Sequence, residues 1–388
     1  VIRRLYINNY RGLDNFELSI AGQSSVLLIG KNGSGKSTVR SVLEVLQRIG
    51  LGTIQAGSLV KFKDFTRGRT PVPMRIEIDV ELDGKSCEYV VAFVVPDGTR
   101  EIAVFEEKFS IGGSVLYKRE YERMKALLAL TSNERDAQTR DAGSQGSRQP
   151  WADHLATGVV ALPVLGNLAL GDPVSVFTLW LSRMLILEPM PDMITGDSEG
   201  ETLVPDRTVA SLGAWFSGLL AGSPAAYTRI AEYLKLVIPD FSEIKNLPTG
   251  RASRSLFVQF ANGPDSMSVP FQDLSAGEKC FMICALVLAC ANSDAYKPAP
   301  FCFWDEPDNY LAPDEVQHFV IALRQAFQAG SQFIATSHNP EAIRSFSNEN
   351  TLVLFRKNHF EPTVVRLLET LQIHGDLVDA LTRGDVEP

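Results

Sequence analysis

Gly30-Lys31-Asn32-Gly33-Ser34-Gly35-Lys36-Ser37-Thr38 decides the reading of this 388-residue chain. The run before it, 25–29, is apolar and suits a buried strand. After it, Val39, Val42, Leu43, Val45, Leu46 and Ile49 recur at helical spacing, which predicts a helix over 38–49. Glycines set between a strand and a helix are what a phosphate loop requires. Gly30, Gly33 and Gly35 permit backbone angles that a side chain would forbid. Their amides can point inward at an anion, and the helix start adds partial positive charge. Lys36 can reach the β- and γ-phosphates of a nucleoside triphosphate, and the Ser37 hydroxyl is placed for Mg²⁺. The whole run from Gly30 to Thr38 is therefore the candidate binding set, with Lys36 also a candidate catalytic group. A Gly-Ser turn before a helix is the plainer alternative, and the complete run in register speaks against it.

A second cluster narrows the class. Leu274-Ser275-Ala276-Gly277-Glu278-Lys279 precedes a strongly apolar helix predicted over 280–291. Taken alone, Ser275 and Glu278 form a capping box. After Pro298 and Pro300, however, Phe301-Cys302-Phe303-Trp304 ends in Asp305-Glu306. An apolar strand closed by two acids suits a Mg²⁺-binding Asp305 followed by a Glu306 that orients or deprotonates water. A strand meeting an acidic turn would read the same way. Next, Gln332 to Thr336 is a short apolar run closed by Ser337-His338. A histidine just past a strand end can touch a γ-phosphate or the attacking water, although a lone His338 also fits an ordinary loop.

The order of these pieces resembles the ABC-type ATPases. It is similar to their soluble branch, which contains the SMC, RecF and OLD proteins, more than to transporter subunits. The opening Asn8-Asn9-Tyr10-Arg11-Gly12-Leu13 resembles that branch's first strand and its Asn-(Phe/Tyr)-Arg signature. Asp305-Glu306-Pro307-Asp308-Asn309-Tyr310-Leu311 resembles short bacterial predicted ATPases of the group, related to the Septu, retron and PARIS defence ATPases. The resemblance implies an α/β, ABC-type P-loop ATPase core with an antiparallel β lobe and an inserted helical lid. It implies ATP and Mg²⁺ as cofactors. It also implies that Ser275, Gly277 and Glu278 cap the γ-phosphate of a partner subunit's nucleotide, so that ATP bridges a homodimer or higher homo-oligomer. Arg11 is a weaker nucleotide candidate, about even with an arginine paired at a strand edge. Two departures stand out. Leu311-Ala312-Pro313 lacks the histidine of OLD proteins, and Leu185-Ile186-Leu187-Glu188-Pro189 offers no glutamine for the mobile loop between core and lid.

With 45 % hydrophobic residues, the chain can build a large core and more than one lobe. Its net charge of −9 argues against a general nucleic-acid coat and leaves room for a local basic face. Five cysteines without paired metal spacing imply neither a zinc hook nor a disulfide framework, which suits a reducing cytoplasm. Cys280 and Cys284 share one face of an apolar helix and read as small core residues. No apolar run approaches the roughly 20 residues of a membrane span, so no membrane partner is expected. The start lacks a secretion signal, and Val1 in place of methionine suggests a trimmed or alternative start.

Four consecutive stretches are expected. Residues 1–60 form the first half of the ATPase core. Residues 61–187 form the antiparallel lobe, with a mobile insertion at 132–150. Residues 188–273 carry the helical lid and a strand pair, and 274–388 return to the core. In the lobe, Arg75-Ile76-Glu77-Ile78-Asp79-Val80-Glu81-Leu82 alternates strictly, and Asp83-Gly84 is a hairpin turn. Strands continue over 88–95, 101–110 and 114–117. Helix is expected over 151–170 and 203–239, with a break at Gly222-Ser223-Pro224. Residues 174–187 return to the core, and short strands lie at 256–260 and 267–269. No heptad run supports a coiled-coil arm.

These features point to an ATP-bridged switch. It would be the ATPase part of a DNA-directed or anti-phage defence assembly holding a separate effector, a nuclease or toxin. Too few residues follow Phe355 for a fused nuclease. A RecF-like DNA-binding clamp or repair ATPase without effector is the alternative. A transporter subunit is disfavoured by the antiparallel lobe and the Asn-Tyr-Arg start. Lys61-Phe62-Lys63-Asp64-Phe65-Thr66-Arg67-Gly68-Arg69 is the candidate DNA contact, basic with interleaved aromatics. It also reads as a solvated loop anchored by its phenylalanines.

Overall fold

In chain order the strands are β1 (Ile2–Asn8), β2 (Phe16–Ser19), β3 (Ser25–Ile29), β4 (Met74–Leu82), β5 (Lys85–Val94), β6 (Ala103–Ile111), β7 (Ser114–Glu120), β8 (Arg123–Leu127), β9 (Leu185–Leu187), β10 (Asp197–Ser198), β11 (Phe241–Pro248), β12 (Arg254–Asn262), β13 (Asp265–Pro270), β14 (Phe301–Trp304), β15 (Gln332–Thr336), β16 (Thr351–Phe355) and β17 (Val364–Leu367). The helices are α1 (Lys36–Gly50), α2 (Ala56–Leu59), α3 (Leu162–Gly166), α4 (Pro173–Ser182), α5 (Leu212–Gly222), α6 (Ala226–Val237), α7 (Ala276–Ala291), α8 (Pro313–Ala326) and α9 (Pro340–Arg344). The computed structural model describes residues 1–120, 123–127, 155–166, 172–328, 330–346 and 348–371. The loop expected at 132–150 lies outside the described residues.

Two compact units divide the chain. The first comprises Val1–Gly22, Ser41–Ser182 and Arg356–Thr363; the second comprises Gln23–Arg40, Arg183–Phe355 and Val364–Pro388. The units interleave along the sequence, so the stretch 1–60 is shared between them. Residues 1–22 pair into an antiparallel sheet, whereas 23–40 enter a parallel one.

The first unit is built on an antiparallel sheet of order β2-β1-β4-β5-β6-β7-β8. In β4, Met74, Ile76, Ile78, Val80 and Leu82 are buried and alternate with partly exposed polar residues, the period a one-faced sheet demands. Asp83 and Gly84 both take positive φ, 49° and 72°, which closes the β4–β5 hairpin with a twist that suits the strands. The buried Glu107 on β6 accepts from Tyr89 and Tyr117 hydroxyls and from the Ala161 and Leu162 amides, so its polar atoms are satisfied in the core. The first strand stops at Asn8, earlier than the resemblance implied. Asn9, Arg11 and Asn15 have φ of 58°, 49° and 52°, and this left-handed turn feeds β2, a strand without a sequence signal of its own.

The second unit contains the functional core. Its six-stranded sheet runs β17-β16-β3-β15-β14-β9, parallel throughout except for the β16–β17 pair. Strands β3, β9, β14 and β15 are buried along their whole length, as expected of parallel strands with both faces covered. Helix α7 is likewise buried from Lys279 to Val287, and α8 packs the Phe319 ring edge-on to Trp304 at 5.5 Å. A second sheet pairs β12 with β10, β11 and β13.

Residues 203–211 are not helical. Asp206 accepts bonds from the Thr208, Ala210 and Ser211 amides and from the Ser211 hydroxyl. Such local side-chain bonds compete with a helix, which therefore starts only at Leu212. Residues 174–187 also divide, into α4 and the short strand β9. In the described part of 151–170, only Leu162–Gly166 is helical.

Candidate functional site

The site lies in the second unit, at the carboxyl ends of its parallel strands. After β3, Gly30 takes φ 150°, and a Cβ there would stand 2.4 Å from the Leu354 carbonyl oxygen and 2.8 Å from Ser34 Oγ. Only glycine fits that cradle. The Ser34 amide donates to the Lys31 carbonyl, and the Thr38 and Val39 amides donate to the Gly35 carbonyl, so the loop runs directly into α1. Lys31, Asn32 and Ser37 are exposed, while Ser34 and Lys36 are buried.

Lys36 folds back over the loop and donates to the Gly30 carbonyl at 2.7 Å. Burial lowers its pKa, only partly offset by the charges of Glu306 and Asp305. A buried ammonium held by a single carbonyl is a strong anion receptor. The acids stand nearby. The Asp305 amide donates to the Leu187 carbonyl, which fixes the end of β14 to β9. Its Oδ1 accepts from Thr336 Oγ1 at 2.5 Å, and Thr336 Oγ1 in turn accepts from the Glu306 amide at 2.9 Å. Glu306 sits at φ 51°, a costly angle for a non-glycine residue that points its carboxylate away from the strand. Asn309 Nδ2 donates to Glu306 Oε2 at 2.6 Å, and His338 Nε2 lies 3.7 Å from Glu306 Oε1. That second distance exceeds a hydrogen bond and is suited to a bridging water. Partial burial and the Lys36 charge lower the His338 pKa, so the imidazole is neutral at pH 7 and can both donate and accept.

Four predicted residues, Lys36, Asp305, Glu306 and His338, thus come together. The set fits a triphosphate with Mg²⁺, because the glycine cradle, the buried ammonium and the paired acids are of the required chemistry. Among the described residues no three His, Cys, Asp or Glu side chains form a metal cluster. Ser37 and Asp305 would therefore hold Mg²⁺ together with phosphate oxygens and water.

The Ser275 group starts α7. Ser275 Oγ accepts from the Glu278 amide, and Glu278 Oε2 accepts from the Ser275 amide at 2.8 Å, a closed capping box. A Cβ on Gly277 would stand 3.2 Å from the Tyr310 carbonyl, so the first turn of α7 lies against the loop that follows Glu306. The buried Lys279 donates to the Pro191 carbonyl. Among the described residues no hydrogen bond or ion pair joins Ser275, Gly277 or Glu278 to the phosphate loop.

Arg11 belongs to the first unit. Its guanidinium pairs with Asp64 at 2.9 Å and donates to Ser41. The basic loop is there too. Phe65 is buried but Phe62 is 47 % exposed, so one phenylalanine anchors the loop and the other does not. With Arg356, His359 and Glu361, this loop lines a cavity of about 310 Å³.

Sequence reasoning passed over Arg40, Glu188, Thr336, Ser337, Asp308 and Asn309. The buried Asp308 accepts from the Ser337 hydroxyl at 2.9 Å and so ties the acid loop to the residue before His338. Burial pushes its carboxyl up to about 6, from an ordinary 3.8, with the Ser337 bond opposing. A raised carboxyl makes the native state bind the extra proton between those values. Its contribution to stability is therefore greatest at low pH and is lost as pH rises through about 6. The expected result is that the melting temperature of Asp308→Asn, relative to wild type, improves between pH 4 and pH 7.5. A difference that stays constant across this range would remove the buried carboxyl as its source.

A family model described as the RecF/RecN/SMC N-terminal domain matches residues 1–361. Among solved structures, the chain is similar to an SMC head bound to the C-winged helix domain of ScpA, with 15 % identity and a TM-score of 0.51, covering 95 % of this chain and 99 % of that one. It is also similar to the SMC head domain from Thermotoga maritima, with 14 % identity, a TM-score of 0.46, and coverage of 94 % and 98 %. No curated protein matches it significantly. At such identity the first likeness speaks for the fold alone.

Proposed function

The chain belongs to the RecF/RecN/SMC N-terminal domain family, the soluble SMC/RecF branch of ABC-type ATPases, and from that premise we propose that it is an ATP-hydrolysing switch that closes into a dimer around ATP. The observation that carries this reading is the cluster of Lys36, Asp305, Glu306 and His338 above a glycine cradle. Lys36 and the loop amides hold the β- and γ-phosphates. Ser37 and Asp305 hold Mg²⁺, which supplies neutralisation of phosphate charge. Glu306, aimed by Asn309, orients and deprotonates the attacking water, and neutral His338 stabilises its position against the γ-phosphate. The Ser275 hydroxyl and the amides near Gly277 form a second anion site at the start of a 16-residue helix. This site would meet the nucleotide of a second copy. Hydrolysis removes the bridging γ-phosphate and shifts the population toward the open form.

In this reading the switch holds a separate effector, a nuclease or toxin, in a DNA-directed or anti-phage assembly of the cytoplasm. The RecF-like alternative, a DNA clamp without effector, draws support from the basic cavity of the first unit, where Lys63, Arg67, Arg356 and His359 face two acids, Asp14 and Glu361. Reversing the charge of Lys61, Lys63, Arg67 and Arg69 would then flatten the salt dependence of DNA binding.

The decisive test of the switch is particle mass with and without ATP. Ser275→Arg should retain single-chain ATP binding and lose ATP-driven dimerisation, because a bulky cation replaces the hydroxyl at the helix start. A variant that dimerises on ATP as well as wild type would sink the bridging mode.

A further inference from the structure

Arg40 sits one turn beyond Lys36 on α1, in the same unit as the acid loop, and its side chain is only 8 % exposed. Buried guanidinium groups are rare unless paired. Here one Nη1 serves two acids. It lies 3.2 Å from Asp305 Oδ2 and forms a closer ion pair with Glu188, the residue that follows β9. Glu188 is held from its other side by Arg207, whose Nε stands 3.1 Å away, and its amide donates to the Arg207 carbonyl. The result is a row of alternating charge, Asp305, Arg40, Glu188, Arg207. The other oxygen of Asp305 already accepts from Thr336. Both oxygens of the carboxylate assigned to the metal are therefore engaged within the chain, one of them by a full positive charge.

We propose that Arg40 is a positioning residue and resident counter-charge that sets the divalent-cation affinity of the nucleotide site by sharing its guanidinium between Asp305 and Glu188. The inference rests on the nucleotide reading given above. A cation near Asp305 meets the repulsion of Arg40, which burial leaves poorly screened. Glu188 draws the guanidinium away and so moderates that repulsion. The two residues thus act on the same carboxylate with opposite sign, which a mere structural brace would not do.

The test is direct Mn²⁺ binding to the full chain in the presence of a non-hydrolysable ATP analogue, read from the electron paramagnetic resonance signal of free Mn²⁺. Arg40→Met should tighten Mn²⁺ roughly tenfold, since it removes the repulsion and leaves two acids facing the site. Glu188→Gln should weaken Mn²⁺ by several-fold, because the guanidinium is then left to Asp305 alone. Arg40→Lys should fall near wild type by keeping the charge. If Arg40→Met does not fold, Glu188→Gln and Arg40→Lys decide alone. Opposite shifts support the proposal; unchanged curves, or shifts of the same sign, overturn it while wild-type analogue binding leaves the nucleotide reading standing. Failure of the wild-type chain to bind the analogue at all overturns both.

Discussion

Lys36→Ala should bind ATP at least about a hundredfold more weakly than the wild-type chain and lose detectable turnover. The ammonium is buried, is bound within the chain by the Gly30 carbonyl, and lies close enough to Asp305 and Glu306 to feel both charges. Charge-assisted bonds to phosphate contribute about 1.5–3 kcal/mol each, and every ~1.4 kcal/mol is a factor of ten in affinity. Losing one or two such bonds therefore suffices for the effect. The fold should not suffer with it. Burial disfavours the Lys36 charge, so the residue is held at some cost to stability and its removal relieves that cost. Lys36→Met, which keeps the stem, should melt no lower than wild type. Isothermal titration with ATP, set beside thermal unfolding of both variants, checks the pair of outcomes. Unchanged affinity in a folded Lys36→Ala would remove the phosphate loop from nucleotide binding.

The parallel core could be read from the sequence because its strands are apolar on both faces. β3, β15 and β16 each stand as a short apolar run bounded by glycine or polar residues, and the same physics that buries them makes them visible. Asp305, Glu306 and His338 were legible because each closes such a run. What escaped notice lies at right angles to the chain. Arg40 is one charge within an apolar helix, and only its position one turn after Lys36 hints at a role. Glu188 ends a strand in the same manner as Asp305, yet its meaning depends on Arg40, 148 positions earlier in the sequence. Thr336 and Ser337 look like strand-end hydroxyls until the fold sets them against Asp305 and Asp308. β11 was missed for a different reason. Only Phe241 and Ile244 are buried in it, so it shows no period of two, and its pairing with β12 is a tertiary fact. The non-helical stretch 203–211 shows the reverse error, in which apolar spacing outvoted Pro205 and Asp206.

Glu306→Gln carries the heaviest burden for the mechanism. The substitution should lower ATP turnover by about a hundredfold to ten-thousandfold, the range ascribed to a positioned general base, with ATP affinity near wild type. The geometry explains why the loss should fall on chemistry and not on binding. Asn309 Nδ2 donates to Glu306 Oε2, and a glutamine can keep that bond through its own carbonyl oxygen. The Thr336 hydroxyl holds the backbone amide, which the substitution does not touch, and φ of 51° at this position is imposed by the loop and not by the carboxylate. The phosphate loop and Lys36 keep their arrangement. Only the acceptor facing His338 changes, since glutamine cannot take a proton from water in the gap of 3.7 Å. With cleavage stalled, the γ-phosphate persists, and the ATP-bridged dimer should accumulate to a greater share of particles than in wild type at equal ATP. Mass measurement during and after ATP addition, alongside single-turnover phosphate release, reads both halves. Wild-type turnover would take the carboxylate out of the reaction. Slow turnover with monomers persisting at saturating ATP would leave Glu306 as the base and end the bridged dimer.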